Sequence, residues 1–157
     1  MNIKDTRINS LKDYLCNVLE EISSNKNFKI NANMLSKNVN NYSLDKIPTA
    51  SVVEKWINGV EIHKDIYSFR SRKEYSTSEI NNLQNIGFFE IFESKIKSND
   101  KKGELPNIKG IEKIECLNCG TMIGASTNTA EFDIQIQITY REEITLWLKL
   151  KQRKILY

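Results

Sequence analysis

Residues Ile111–Tyr140, IEKIECLNCGTMIGASTNTAEFDIQIQITY, decide the fold. In the second half, Phe132, Ile134, Ile136, Ile138 and Tyr140 alternate with Asp133, Gln135, Gln137 and Thr139. Side chains along a strand point to opposite faces in turn, so this is a half-buried strand with one apolar and one polar face. The first half is a second strand. Residues 120–129 between them hold two Gly, three Thr, a Ser and an Asn, which is turn chemistry. The two halves form a long hairpin at the centre of a sheet. Its polar face is Gln and Thr, with Asp133 its only charge, so nothing on it is catalytic.

Outward from this hairpin the signals are helical, then extended. Ile8, Leu11, Leu15, Val18, Leu19 and Ile22 recur at three- and four-residue spacing, which predicts an amphipathic helix over 6–22, capped by Asp5 or Thr6. FKINA (28–32) and 42–47 read as short strands, the second closed by Pro48. Ser51–Ile57 and a strand from Val60 to about Arg72 flank Asn58-Gly59, a strong hairpin signal. His63–Asp65 reads as a break in that returning strand. A second helix is predicted from Ser76 or Thr77 to Ser98, with Glu79 in a capping arrangement. Its apolar residues fall on two sides: Ile80, Leu83 and Ile86, then Phe88, Phe89, Phe92 and Ile96 after Gly87. Either it kinks at Gly87 or it is covered from two directions. The fold class is therefore α+β: a mostly antiparallel sheet with two amphipathic helices packed on it, and the hairpin 111–140 at its centre.

Composition bounds the function. The 157 residues are enough for one domain, with 39% apolar and 27% charged residues. The charged N-terminus lacks the apolar block of a secretory signal, so synthesis is expected in the cytoplasm. The sequence has no apolar run long enough for a membrane span. Residues 141–157 carry five cations (Arg141, Lys149, Lys151, Arg153, Lys154) against Glu142 and Glu143. That is the whole net charge of +3, and the body holds 18 of each sign. The domain is placed at 1–140, followed by a basic, apolar C-terminal extension. Within it Ile144, Leu146, Trp147 and Leu148 suit contacts with another chain, and deleting 142–157 is expected to impair assembly but not folding.

No residue pattern points to catalysis. Cys116-Leu117-Asn118-Cys119 is a single CxxC in a strand, and Cys16 and His63 have no zinc-knuckle spacing to complete a site. His63 alone reads as a hairpin or surface residue. Glu90 and Glu93 read as a solvated helix face, and no phosphate-binding glycine loop is present. Arg70, Arg72 and Lys73, interleaved with Tyr67, Phe69 and Tyr75, fit either a charge-protected edge strand or a nucleic-acid grip. The sequence thus gives no catalytic, cofactor-binding or metal residue, no cofactor and no small-molecule substrate.

A resemblance supplies a function. IPTASVVEKWINGV, then YSFRSR (67–72), then NLQNIGFFEIF on a helix, then GAS (124–126) through Thr129-Ala130 into the strand ending Thr139-Tyr140, occur in an order that covers roughly 5–140. This resembles the tail-terminator (minor capsid) proteins of phages and prophages of Gram-positive bacteria and of phage-tail-like bacteriocins. The CxxC and residues 141–157 depart from that pattern. The resemblance implies a non-enzymatic homohexameric ring that caps the head-proximal end of a tail tube and stops its polymerisation. It implies the tail tube protein as partner, joined by the sheath protein in contractile systems and by the head connector in phages. It also implies a place in a virion or tail-like particle assembled in the host cytoplasm. Phe88, Phe89 and Phe92 are the expected subunit contacts on the second helix. A head–tail connector or completion protein is the neighbouring reading, and a nucleic-acid-binding module is a third.

Overall fold

Two fifteen-residue strands, β4 (Val60–Glu74) and β7 (Thr129–Glu143), pair antiparallel over their whole length, from Val60 opposite Glu143 to Glu74 opposite Thr129. In the computed structural model, which describes residues 2–23, 27–76 and 78–143, this ribbon is the axis of a seven-stranded sheet of order β1-β2-β4-β7-β5. The remaining members are β1 (Lys29–Ala32), β2 (Asn41–Ile47), β3 (Val52–Lys55), β5 (Ile111–Cys116) and β6 (Thr121–Ala125). The strands β3 and β6 attach at diagonally opposite corners, β3 on the 61–63 end of β4 and β6 on the 130–133 end of β7. All pairings are antiparallel except β1 with β2.

Two helices, α1 (Arg7–Ile22) and α2 (Glu79–Lys102), cover one face. Leu11, Leu15 and Leu19 of α1 and Phe92 and Ile96 of α2 meet Tyr67, Phe69, Ile134, Ile136 and Ile138 in a single core. The α+β class with two helices on one sheet is as the periodicities predict. Helix α1 has the expected apolar stripe, although Thr6 at its N-cap position donates to the Ile3 carbonyl instead of capping.

Several expectations need correcting. The hairpin of 111–140 is present, with β5 and β6 paired to β7, but the longest pairing in the sheet is β4–β7. The first half of that stretch is two strands, β5 and β6, set end to end along β7 and separated by a bend at 117–120. The bend stays bound to β7, since Leu117 N–H donates to the Gln135 carbonyl and Gln135 N–H to Asn118 Oδ1. Gly120 lies here because the Phe89 ring packs against its backbone where a Cβ would stand. The true turn is only 126–128, so most of the Gly- and Thr-rich segment is strand. The sheet continues to Glu143, three residues past the predicted domain end; residues 144–157, with Ile144, Leu146, Trp147 and Leu148, lie outside the described residues. Strand β4 passes unbroken through His63–Asp65 because its odd residues keep facing the helices. It is a central strand, not an edge.

Helix α2 runs unbroken through Gly87 to a left-handed cap at Gly103. The Ser76 hydroxyl, not Glu79, accepts from the Ser78 amide at its start. Phe89 and Phe92 are buried against this chain's own sheet, so they have no surface left for a second subunit, contrary to expectation. Phe88 is half-buried and packs on the same core. The outward side of α2 is Ile80, Leu83 and Ile91, within about 80° of one another at 100° per residue, all exposed together with Ile86.

Candidate functional site

The covered sheet face changes character at one end. Successive odd residues of β4 run Phe69, Tyr67, Asp65, His63, Glu61, and the facing even residues of β7 run Ile138, Tyr140, Glu142. Here α1 begins, so its first residue, Arg7, covers a polar cluster instead of core. Glu61 lies across from Glu142 and His63 across from Tyr140. All but Glu142 are buried, and Asp65 is inaccessible to solvent.

The hydrogen bonds assign the protons. Ser51 Oγ lies 2.8 Å from Asp65 Oδ1 and 3.0 Å from His63 Nδ1. Its single hydrogen goes to the carboxylate, the stronger acceptor, so the hydroxyl oxygen accepts from Nδ1–H. The other Asp65 oxygen accepts from the Tyr140 hydroxyl at 3.2 Å and faces Arg7 at 3.4 Å and Lys46 at 3.7 Å. This fixes the imidazole, which also stacks on the Tyr140 ring at 5.1 Å, with Arg7 on that ring at 4.7 Å. Burial raises the Tyr140 hydroxyl above its ordinary range, so it remains a donor at neutral pH.

Nε2 of His63 is left facing two carboxylates, Glu61 Oε2 at 3.1 Å and Glu142 Oε2 at 3.2 Å. The second oxygen of each carboxylate is held by a cation, Lys55 at 3.3 Å for Glu61 and Arg7 at 3.9 Å for Glu142. Burial pushes the Glu61 carboxyl up, but Lys55 and His63 outweigh it and hold it below the ordinary range. The three donor atoms lie within 4.8 Å of one another, and no other such group of three or more His, Cys, Asp or Glu ligands occurs among the described residues. The arrangement is not a nucleophile triad, because the Ser51 proton is given to Asp65 and the imidazole donates to Ser51 instead of accepting from it.

Sequence reasoning treated His63 as an isolated hairpin residue and missed this cluster. The available signal was Glu-x-His-x-Asp, which puts three polar side chains on one strand face. Ser51, Tyr140 and Glu142 come from distant segments that only the β3–β4–β7 pairing brings together.

The other candidates take different places. Cys116 closes β5, and burial pushes its thiol up to about 12, away from the thiolate that redox or metal chemistry needs. Cys119 is exposed in the bend rather than in a strand, and both thiols are free. The basic run is divided between faces. Arg70 pairs with Asp45 at 2.7 Å and Glu131 at 3.3 Å, and Arg72 donates to the Ser36 carbonyl at 2.8 Å. Lys73 is buried on the helix side, 2.7 Å from the Tyr42 hydroxyl and 3.6 Å above the Phe88 ring. Burial lowers its amine to about 8. These cations are committed within the chain, which leaves little for a phosphate backbone.

Exposed apolar residues mark the other surface of interest. Val52, Val53, Trp56 and Ile57 stand at the β3 corner, Leu117, Met122 and Ile123 at the β6 corner, and Ile80, Leu83, Ile86 and Ile91 on α2. Among the described residues no helix is long and apolar enough to cross a membrane.

Among the described residues, the fold and these surfaces define an α+β domain with both helices on one sheet face, a largely buried His–carboxylate cluster and three exposed apolar patches. No family model matches the chain, and no curated protein does.

Proposed function

We propose that the protein is a structural assembly subunit, a tail terminator that forms a hexameric ring on the head-proximal end of a phage tail or tail-like bacteriocin tube and stops its growth. It acts without a chemical step. The observation that carries this reading is the placement of the exposed apolar residues. A ring is closed by head-to-tail contacts, which need two different surfaces on one subunit. The β3 and β6 corners are such surfaces, each with a strand edge that is unpaired among the described residues and with exposed apolar side chains, at opposite ends of the sheet. Open strand edges with exposed apolar residues are hazards in a monomer and assets in a ring. The α2 patch adds a further surface for the tube or connector. The ordered motifs between residues 5 and 140 support the same reading.

Light scattering on the full chain tests it: the reading predicts a species of six 18.2 kDa chains. A monomer at every concentration, with no ring in electron micrographs, would refute it.

A further inference from the structure

The polar end of the β4–β7 ribbon has an arrangement that the assembly reading does not use. Two carboxylates converge on one imidazole nitrogen, and each is turned toward it by a cation on its far oxygen. With Nδ1–H engaged by Ser51, a neutral imidazole turns a lone pair toward both carboxylates, and a protonated one has a single Nε2–H that makes one linear hydrogen bond; neither form serves two acceptors well. A small cation serves all three donors at once. In a tetrahedral zinc site with ligands at about 2.0–2.1 Å, neighbouring donor atoms are about 3.3 Å apart. The observed Nε2–oxygen separations are 3.1 and 3.2 Å, and all three donor atoms lie within 4.8 Å of one another, so the Glu142 carboxylate at the rim need shift only slightly to close on an ion. The ring nitrogen that would face the metal is the one left free, because Nδ1–H is engaged by Ser51 and through it by Asp65. Metal-binding histidines are commonly oriented this way by a hydrogen-bonded partner on the other nitrogen.

We propose that Glu61, His63 and Glu142 bind one divalent transition-metal ion of the zinc type, with a fourth position open to water. A nitrogen ligand and a compact donor set select zinc-class ions over magnesium or calcium, which prefer six or more oxygens. The ion ties the end of β7 to β4 and replaces the crowding of two carboxylates with a shared positive charge. Two of the ligands are buried, while Glu142 at the rim gives the ion a way in. The inference does not rest on the tail-terminator reading and is tested on the isolated chain.

The test is a calorimetric titration of the full chain with zinc chloride, in a Cys119→Ser background that removes the exposed thiol. One zinc per chain is expected, and cobalt(II) in its place should give the visible absorption of a four-coordinate nitrogen–oxygen site. Glu142→Gln, at the accessible rim, should remain folded by circular dichroism and bind zinc at least tenfold more weakly. Ser51→Ala, which removes the histidine's partner, should lose about tenfold to a hundredfold. No zinc uptake by the folded chain, one-to-one binding that survives Glu142→Gln, or magnesium binding as tight as zinc would each overturn the proposal.

Discussion

Replacing Lys73 with Met tests the electrostatics of the core. The Lys73 amine is buried between the Tyr42 hydroxyl and the Phe88 ring, and burial lowers it from the ordinary 10.5 to about 8. That gap amounts to about 3 kcal/mol at 1.36 kcal/mol per pH unit. Below pH 8 folded and unfolded chains both carry the charge, and the folded state bears the full burial cost. Between pH 8 and 10.5 the unfolded chain holds a proton that the folded chain has released, so stability rises with pH. Burial raises the phenols of Tyr42 and Tyr67 and the Cys116 thiol, which lowers stability at alkaline pH. That effect is shared by wild type and variant and cancels in their difference. At pH 7 the variant removes the buried charge but leaves the Tyr42 hydroxyl without its partner, a loss of about 1–3 kcal/mol that nearly offsets the gain. The slope therefore carries the test. Urea unfolding from pH 7 to 10 should show wild type gaining about 2–3 kcal/mol relative to Lys73→Met. A difference that stays flat within about 0.5 kcal/mol would refute the account of Lys73 as a buried, destabilising charge.

Other outcomes follow from packing. Phe92→Ala, in the core between α2 and the sheet, should cost about 3–5 kcal/mol in denaturant unfolding. By contrast, Ile80→Glu with Leu83→Lys on the outward side of α2 should change stability by less than about 0.5 kcal/mol and leave the six-chain species in light scattering intact, while weakening its attachment to tube ends in electron micrographs. Gly110→Ala should destabilise the chain strongly, because Gly110 has φ 77° and an added Cβ would collide with the Arg141 carbonyl; an unchanged melting temperature would contradict the placement of that turn. Arg70→Ala should leave binding to single-stranded DNA at low salt unaltered, since its guanidinium is held by Asp45 and Glu131; weakened, salt-dependent binding would revive the nucleic-acid alternative.

The elements legible in the sequence were those whose pattern matches one local rule. Helix α1 has a regular stripe, and the β3–β4 turn has Asn58-Gly59. The alternation of Phe132 to Tyr140 is β7 itself. The misread parts are those where tertiary pairing overrides composition. Thr121–Ala125 has turn residues, yet it is a strand because β7 offers it an unpaired edge. His63–Asp65 reads as a break because charged residues on a core-facing register are recognisable only once Ser51, Tyr140 and Arg7 are known to satisfy them. The two-sided pattern of α2 was visible, but which side met the sheet was not. Phe89 and Phe92 looked like interface and proved to be core, since large aromatics fill either. The candidate cation site was illegible for a similar reason: its ligands are two residues apart on β4 but about eighty apart across to Glu142, and only the strand register unites them.

The central claim is that this subunit ends a growing tube. Adding the purified protein to tail tubes while they polymerise from a seed tests it most directly, with tube lengths and end density read by electron microscopy. The account predicts shorter tubes, each carrying a six-fold ring at its growing end. Tubes of unchanged length, or protein bound along their sides and not at an end, would contradict it.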